Sequence, residues 1–243
     1  MTRLARRCAS AGRTERGKVR ERNEDAYLNH PEHGLWVVAD GMGGHQSGDV
    51  ASQLIVSSIA ALARLTDLND RLAAVRKCLV GVNYRLGEGI PVRGGNSRTV
   101  IGSTVVALLI EEARAVCVWA GDSRCYLWRE QRLYQLTRDH SLLQKLIADE
   151  QMCSRKAAQH PAAHALTRAV GGGDGLSLEL IELDVRCGDV FVLCSDGLYQ
   201  ALDHQVLGDA LNNRSPRLAV DLLFDYVLRG PASDNVTAVV VRT

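Results

Sequence analysis

The chain has 243 residues, 46% hydrophobic and 23% charged, which is ordinary globular usage and excludes a disordered or collagen-like chain. Length alone allows one or two domains. A formal charge of +1, from 29 Lys+Arg against 28 Asp+Glu, supplies no net attraction to nucleic acid or an anionic membrane. No apolar run nears the roughly 20 residues that span a bilayer; the longest, Thr104 to Ile110, meets Glu111 and Glu112. Arg3, Arg6 and Arg7 are followed by no apolar stretch, so the start does not read as a secretory signal. Seven cysteines form no C-x-x-C pair, and Cys117 and Cys194 lie within apolar runs. These features predict a reduced, cytoplasmic, soluble enzyme or binding domain.

In chain order, Leu35 to Ala39 reads as a strand. Ala51, Ile55, Ile59 and Leu62 predict a buried helix from about Ser47 to Leu65. Leu68, Leu72, Val75, Leu79, Val82 and Leu86 mark an amphipathic helix, with Arg71, Arg76 and Lys77 off the apolar stripe and Gly87 as its stop. Gly89 to Thr99 reads as a loop. Ser103 to Ile110 and Ala115 to Trp119 predict a hairpin. Ser141 to Ala163 reads as a helix, a shorter piece and the His160-Pro161 break, an insertion in the strand pattern. Ser177 to Val185, a weaker strand, and Val190 to Cys194 predict a second hairpin. Ser215-Pro216 starts a helix expected to turn Ala219, Leu222, Leu223, Tyr226 and Val227 inward and to end at Gly230-Pro231. Val236 to Val241 reads as the final strand. Adjacent strand pairs favour antiparallel sheets, and no linker divides the chain.

Four apolar strands each carry an aspartate at one end: Asp40-Gly41, Gly121-Asp122, Asp196-Gly197 and Asp234-Asn235. One Asp-Gly after a strand is ordinary turn chemistry. Four such carboxylates on neighbouring strands can converge on one rim, where their repulsion is relieved by a hard divalent cation. Oxygen donors suit magnesium or manganese. His160 and His164 flank a proline and match no zinc motif, so they read as surface residues. Arg20, in the segment Gly17 to Asp25, is a candidate phosphate ligand, although an arginine in so charged a segment is more often simply solvated. The C-x5-R, D-x-D, G-x-S-x-G and phosphate-loop signatures are all missing, which leaves hydrolysis by metal-activated water as the best chemical reading. The run Gly171 to Gly175 reads as a flexible connection rather than a nucleotide site.

Eight short motifs stand in one order: Arg20-x-x-Asn23-Glu24-Asp25, Asp40-Gly41-Met42-Gly43-Gly44-His45, Gly102-Ser103-Thr104, Gly121-Asp122-Ser123-Arg124, Leu136 to Ser141, Leu166 to Gly171, Ser195-Asp196-Gly197-Leu198 and Ser233-Asp234-Asn235-Val236. This series resembles the bacterial PP2C-type (PPM) metal-dependent serine/threonine protein phosphatases, from about Gly17 to Val241. The resemblance implies an α+β fold, a four-layer α-β-β-α sandwich of two antiparallel sheets flanked by helix pairs. It implies one domain over residues 1–243, with a flap at about 141–164 that influences substrate choice. It also implies two Mn²⁺ or Mg²⁺ ions, and a third, weaker one in bacterial members. Asp40 would bridge the pair, with the Gly41 carbonyl on the second ion, Asp196 and Asp234 on the first and Asp25 acting on the second. Asp122 and Asp196 would serve the third ion, and Arg20 the substrate phosphate. Met42 stands where eukaryotic members carry a histidine; His45 would then either protonate the leaving group or only pack in the glycine-rich turn.

The implied activity is hydrolysis of phosphoserine and phosphothreonine in proteins by a metal-bridging water, opposing a Hanks-type Ser/Thr kinase, in some relatives beside a protein-secretion system. The partners expected are phosphoproteins and that kinase, with neither nucleic acid nor membrane. A catalytically silent phosphoprotein-binding module and a small-molecule phosphatase are the alternatives.

Overall fold

The computed structural model describes residues 8–43, 47–62, 67–88, 101–173 and 175–243. The strands are β1 (Ala9–Glu15), β2 (Asp25–His30), β3 (Leu35–Gly43), β4 (Ile101–Ser103), β5 (Val105–Glu111), β6 (Arg114–Ala120), β7 (Arg124–Arg129), β8 (Arg132–Gln135), β9 (Glu179–Asp184), β10 (Val190–Cys194) and β11 (Val236–Arg242). The helices are α1 (Gly48–Ala60), α2 (Leu68–Gly87), α3 (Leu142–Ala148), α4 (Ser154–Ala158), α5 (Asp196–Tyr199), α6 (His204–Leu211) and α7 (Pro216–Arg229). One antiparallel sheet runs β1-β11-β10-β7-β8 and the other β2-β3-β5-β6-β9, with β4 paired to β3.

Strand periodicity explains the layers. Along β3, Trp36 and Val38 point between the sheets, where they meet Val106, Leu108, Cys117, Leu127, Phe191 and Val239. The alternate residues Leu35, Val37 and Ala39 face Ile55 and Ile59 of α1 and Leu79 of α2. On the far side Val192, Val236 and Val240 pack on Leu211 of α6 and Leu223 and Phe224 of α7. Both faces of the central strands are therefore covered, which is why β5, β6, β10 and β11 read as unbroken apolar runs. This is the expected four-layer arrangement of two antiparallel sheets flanked by helix pairs.

Polar side chains cap several helix ends, Ser215 as expected. The Asp67 carboxylate caps α2 by accepting from the amides of Asn69 and Asp70, and Ser141 and Ser215 cap α3 and α7. Strand 103–110 is interrupted at Thr104, whose amide donates to the Asp40 carbonyl at 2.8 Å. The expected loop at 89–99 and the basic start at residues 1–7 fall outside the described residues, and α1 ends at Ala60, short of the expected Leu65. His160 and His164 are exposed. The Gly171 end of the glycine run is held rather than loose: the Asn83 side chain accepts from the Gly171 amide at 2.7 Å and donates to the Gly173 carbonyl at 3.2 Å.

Three expectations are corrected. The strands at 177–185 and 190–194 do not form a hairpin, because β9 pairs with β6 while β10 lies between β7 and β11. The short connection crosses between sheets, held by buried Asp189, which accepts from Arg129 at 2.8 and 2.6 Å and from the Arg186 amide at 2.7 Å. On α7, Leu222 and Tyr226 are exposed; the buried face is Ala219, Val220, Leu223, Phe224 and Val227, rotated from the expected stripe. Arg71 is buried rather than solvated, and its guanidinium donates to the carbonyls of His33 and Ile110 with Glu111 at 3.8 Å. It ties α2 to the ends of β3 and β5, so its stem packs while its charge is hydrogen-bonded. Truncation leaves those carbonyls without their donor, and Arg71→Ala is expected to lower unfolding free energy by about 2–3 kcal/mol in urea titration.

Candidate metal centre

The acids reach one rim from both sheets. Asp25 opens β2 and lies directly opposite Asp40 of β3 in the antiparallel register. Asp122 follows β6, Asp196 follows β10 and Asp234 precedes β11. Asp40 feels the negative charges of Asp25, Asp196, Asp122 and Asp234 together. Arg20 closes one edge, donating to Asp234 Oδ2 at 2.7 Å. Its guanidinium remains 54% exposed, which leaves N–H groups for another anion. Its charge is further stabilised in turn by Asp196 and Asp40.

Backbone geometry fixes this rim. A Cβ at Gly41 would lie 2.0 Å from the Gly48 carbonyl oxygen and 2.7 Å from that of Glu24, so only glycine lets β3 pass between them. The amide of Gly41 donates to the Glu24 carbonyl at 3.1 Å, and the Glu24 carboxylate accepts from the Gly48 amide at 3.1 Å. Thr104 holds Asp40 from the other side, with Oγ1 accepting from the Asp40 amide at 3.1 Å and pairing with Ser123 Oγ at 2.7 Å.

Two further residues do structural work to which their motifs gave no role. Ser195 Oγ donates to Asp25 Oδ2 at 2.7 Å and accepts from the Thr237 amide at 3.0 Å. Asn235 accepts from the Glu24 amide at 2.8 Å and donates to the carbonyls of Arg16 and Arg22 at 2.9 and 2.8 Å. It thereby shapes the loop that carries Arg20. Asp139 is paired by Arg124, which grips it at 2.9 and 2.6 Å while stacking 3.6 Å over the Tyr199 ring. His45 lies outside the described residues.

Crowded carboxylates resist ionisation. Burial pushes Asp25 up to about 7, with Asp196 and Asp234 adding to the effect and hydrogen bonds from Thr237 and Ser195 opposing it. Burial, then Asp196 and Asp139, push Asp122 to about 7. Asp40 is driven well above the carboxylate range, and Asp196 is raised, burial being the largest cause for both. Buried Asp25 Oδ1 has no hydrogen-bond partner among the described residues, in a cluster whose donors are all oxygens. Those properties fit hard divalent cations, which remove the repulsion and satisfy the orphaned oxygen.

In metal-free protein the folded state keeps protons on Asp25 and Asp122 that the unfolded chain releases in the ordinary carboxylate range. Stability therefore falls as pH rises from about 4 to 7. Calorimetry of chelated protein is expected to show Tm dropping across that window. Excess Mn²⁺ is expected to raise Tm, and more at pH 7.5 than at pH 5, in an amount set by mass action.

A cleft of about 310 Å³ lies beside the rim, lined by Arg138 to Ser141, by Gln144, Lys145 and Asp149, and by Thr167, Arg168 and Glu179. None of the five converging aspartates lines it. Its outer wall is α3, the first part of the inserted segment.

Comparison with known proteins agrees with this geometry. The family model described as protein phosphatase 2C matches residues 14–229. The serine/threonine protein phosphatase PstP of Mycobacterium tuberculosis is 33% identical over 230 residues, covering 95% of this chain and 44% of PstP. The chain thus spans less than half the length of that relative. The structure of PppA, "a key regulatory component of T6SS in Pseudomonas aeruginosa", superposes with TM-score 0.88 and 41% identity, covering 98% of this chain and 99% of that one. A structure of the PstP catalytic domain in complex with two manganese ions superposes with TM-score 0.81 and 33% identity, each chain covered to 97%. A divalent-metal cofactor accords with the oxygen-donor rim, and with the family model spanning most of its length this chain belongs to the protein phosphatase 2C family of serine/threonine phosphatases.

Proposed function

We propose that this chain hydrolyses phosphoserine and phosphothreonine esters in proteins. The observation that carries the reading is the gathering of Asp25, Asp40, Asp122, Asp196 and Asp234 around one rim with Arg20 at its edge. In this reading Asp40, Asp196, Asp234, Asp25 and the Gly41 carbonyl would together hold two Mn²⁺ or Mg²⁺ ions. Asp122, with Asp196, would hold a third ion. When bound, the ions supply Lewis-acid activation of water and neutralise charge at phosphorus.

The protein's own groups bind and orient. Arg20, braced by Asp234, offers its free N–H groups to the phosphate oxygens and holds phosphorus over the rim. Ser195 is no nucleophile, because it is buried and committed to Asp25 and the Thr237 amide. It instead holds the Asp25 carboxylate through Oδ2 and leaves Oδ1 unpaired. His45, near Gly41 in sequence, remains a candidate proton donor to the leaving alkoxide. The segment at about 141–164 is read as a flap of one domain over residues 1–243, and the cleft at its base, with Arg138, Lys145 and Arg168, is read as receiving residues that flank the phosphoamino acid. Likeness to PppA, described as a key regulatory component of T6SS, is in keeping with a regulatory role beside a secretion system; opposition to a Ser/Thr kinase rests on the family resemblance of the motifs alone.

Phosphate release from a phosphothreonine peptide tests the reading. Asp40→Ala and Asp196→Ala are each expected to lower kcat by about 10³-fold or more with circular dichroism unchanged. Chelation is expected to match them, and Mn²⁺ to reverse it; full turnover without metal refutes the mechanism. Arg20→Ala should cut kcat/KM by roughly 10–100-fold, mostly through KM. Ser195→Ala is expected to raise the Mn²⁺ concentration needed for half-maximal rate by about 10–100-fold while sparing the saturated rate.

A further inference from the structure

The opposite end of the β2–β3 hairpin carries a second donor cluster of different chemistry. The connection reads His30-Pro31-Glu32-His33-Gly34, and Pro31–His33 form a single 3-10 turn with His30 at its N-cap. Such a turn has three residues per repeat, so side chains at i and i+3 eclipse. His30 and His33 are related in that way, and their ring centroids lie 5.8 Å apart. One donor atom from each of His30, Glu32 and His33 falls within 4.8 Å of the other two. Proline fixes the start of the turn, and Gly34, at φ 57, closes it by donating to the Pro31 carbonyl. From inside, the buried Arg71 guanidinium donates to the His33 carbonyl, its charge opposed by Glu111 at 3.8 Å. The His30 ring is not tied elsewhere through Nδ1, which is enclosed and has no hydrogen-bond partner among the described residues.

We propose that His30, Glu32 and His33 bind a divalent transition cation of the zinc class, with water in the remaining position. Two imidazoles and one carboxylate match borderline-soft metals. The rim aspartates, all oxygen donors, suit hard ones. Zinc bonds of about 2.0–2.1 Å place tetrahedral ligands roughly 3.3–3.4 Å apart. Closure from the present spacing takes rotation of side chains that are exposed or half-buried. The two sites are independent: Asp25 and His30 are the two ends of β2, separated by roughly 17 Å at 3.3–3.4 Å per residue. The proposal therefore stands whether or not the chain is a phosphatase.

Equilibrium dialysis of the whole chain against Zn²⁺, with excess Mg²⁺ occupying the carboxylate rim, tests it. The parent is expected to retain one zinc more than His33→Ala, and Glu32→Gln to bind that zinc about tenfold more weakly or worse. His160→Ala, which removes an exposed histidine elsewhere, is expected to bind like the parent. Co²⁺ in place of zinc should give a tetrahedral visible spectrum that His33→Ala lacks. Equal zinc binding by the parent and His33→Ala, or equal loss in His160→Ala, overturns the proposal. Should His33→Ala fail to fold, unchanged affinity in the exposed isostere Glu32→Gln overturns it instead.

Discussion

Like-charge crowding is the constraint around which this molecule is arranged. Carboxylates that would separate in an unfolded chain are brought to one rim by strands whose apolar faces must be buried. The hydrophobic term is non-directional and sets the sandwich; the electrostatic cost is local and falls where those strands end. Asp25 and Asp40 belong to one sheet, Asp196 and Asp234 to the strand ends of the other. The centre thus straddles the seam between the layers. Cations bound there would oppose the repulsion between the two sheets' carboxylates.

Around Asp40 and Asp25 the scaffold's bonds leave carboxylate oxygen free. Thr104, Ser103 and Glu24 grip backbone beside Asp40 and Gly41 rather than competing for carboxylate oxygen. Ser195 takes one oxygen of Asp25 and leaves the other. Arg124 fills both oxygens of Asp139, as Arg20 and the Asn235 amide do for Asp234.

Much of this architecture is legible in the amino-acid sequence. Apolar runs that end in Asp-Gly or begin after Asp-Asn mark the rim, and the ordered motifs place Asp25 and Arg20 beside it. Elements without a composition signal are not legible. Strand β1 is Ala-Ser-Ala-Gly-Arg-Thr-Glu, a polar edge with no apolar run. The β7–β8 hairpin turns through Glu130 and Gln131, both at positive φ, where glycine or asparagine usually advertises the turn. The partner of β9 escapes a local reading because short loops between strands suggest hairpins, whereas this one crosses between sheets. The work of Ser195 and Asn235 depends on bonds to residues 170 and 211 positions away, which no local pattern encodes.

Strand order gives the site a position in time as well as in space. Among the described strands β1 pairs with β11 alone, and β11 also completes β10. A ribosome therefore releases the first strand long before its neighbour exists, and loop-closure entropy delays that union. Asp234, which braces Arg20, and Asn235, which shapes its loop, immediately precede β11. Maturation of the reactive centre is consequently a late, all-or-none event: a nascent polypeptide stalled before that strand holds neither the finished sandwich nor an oriented arginine.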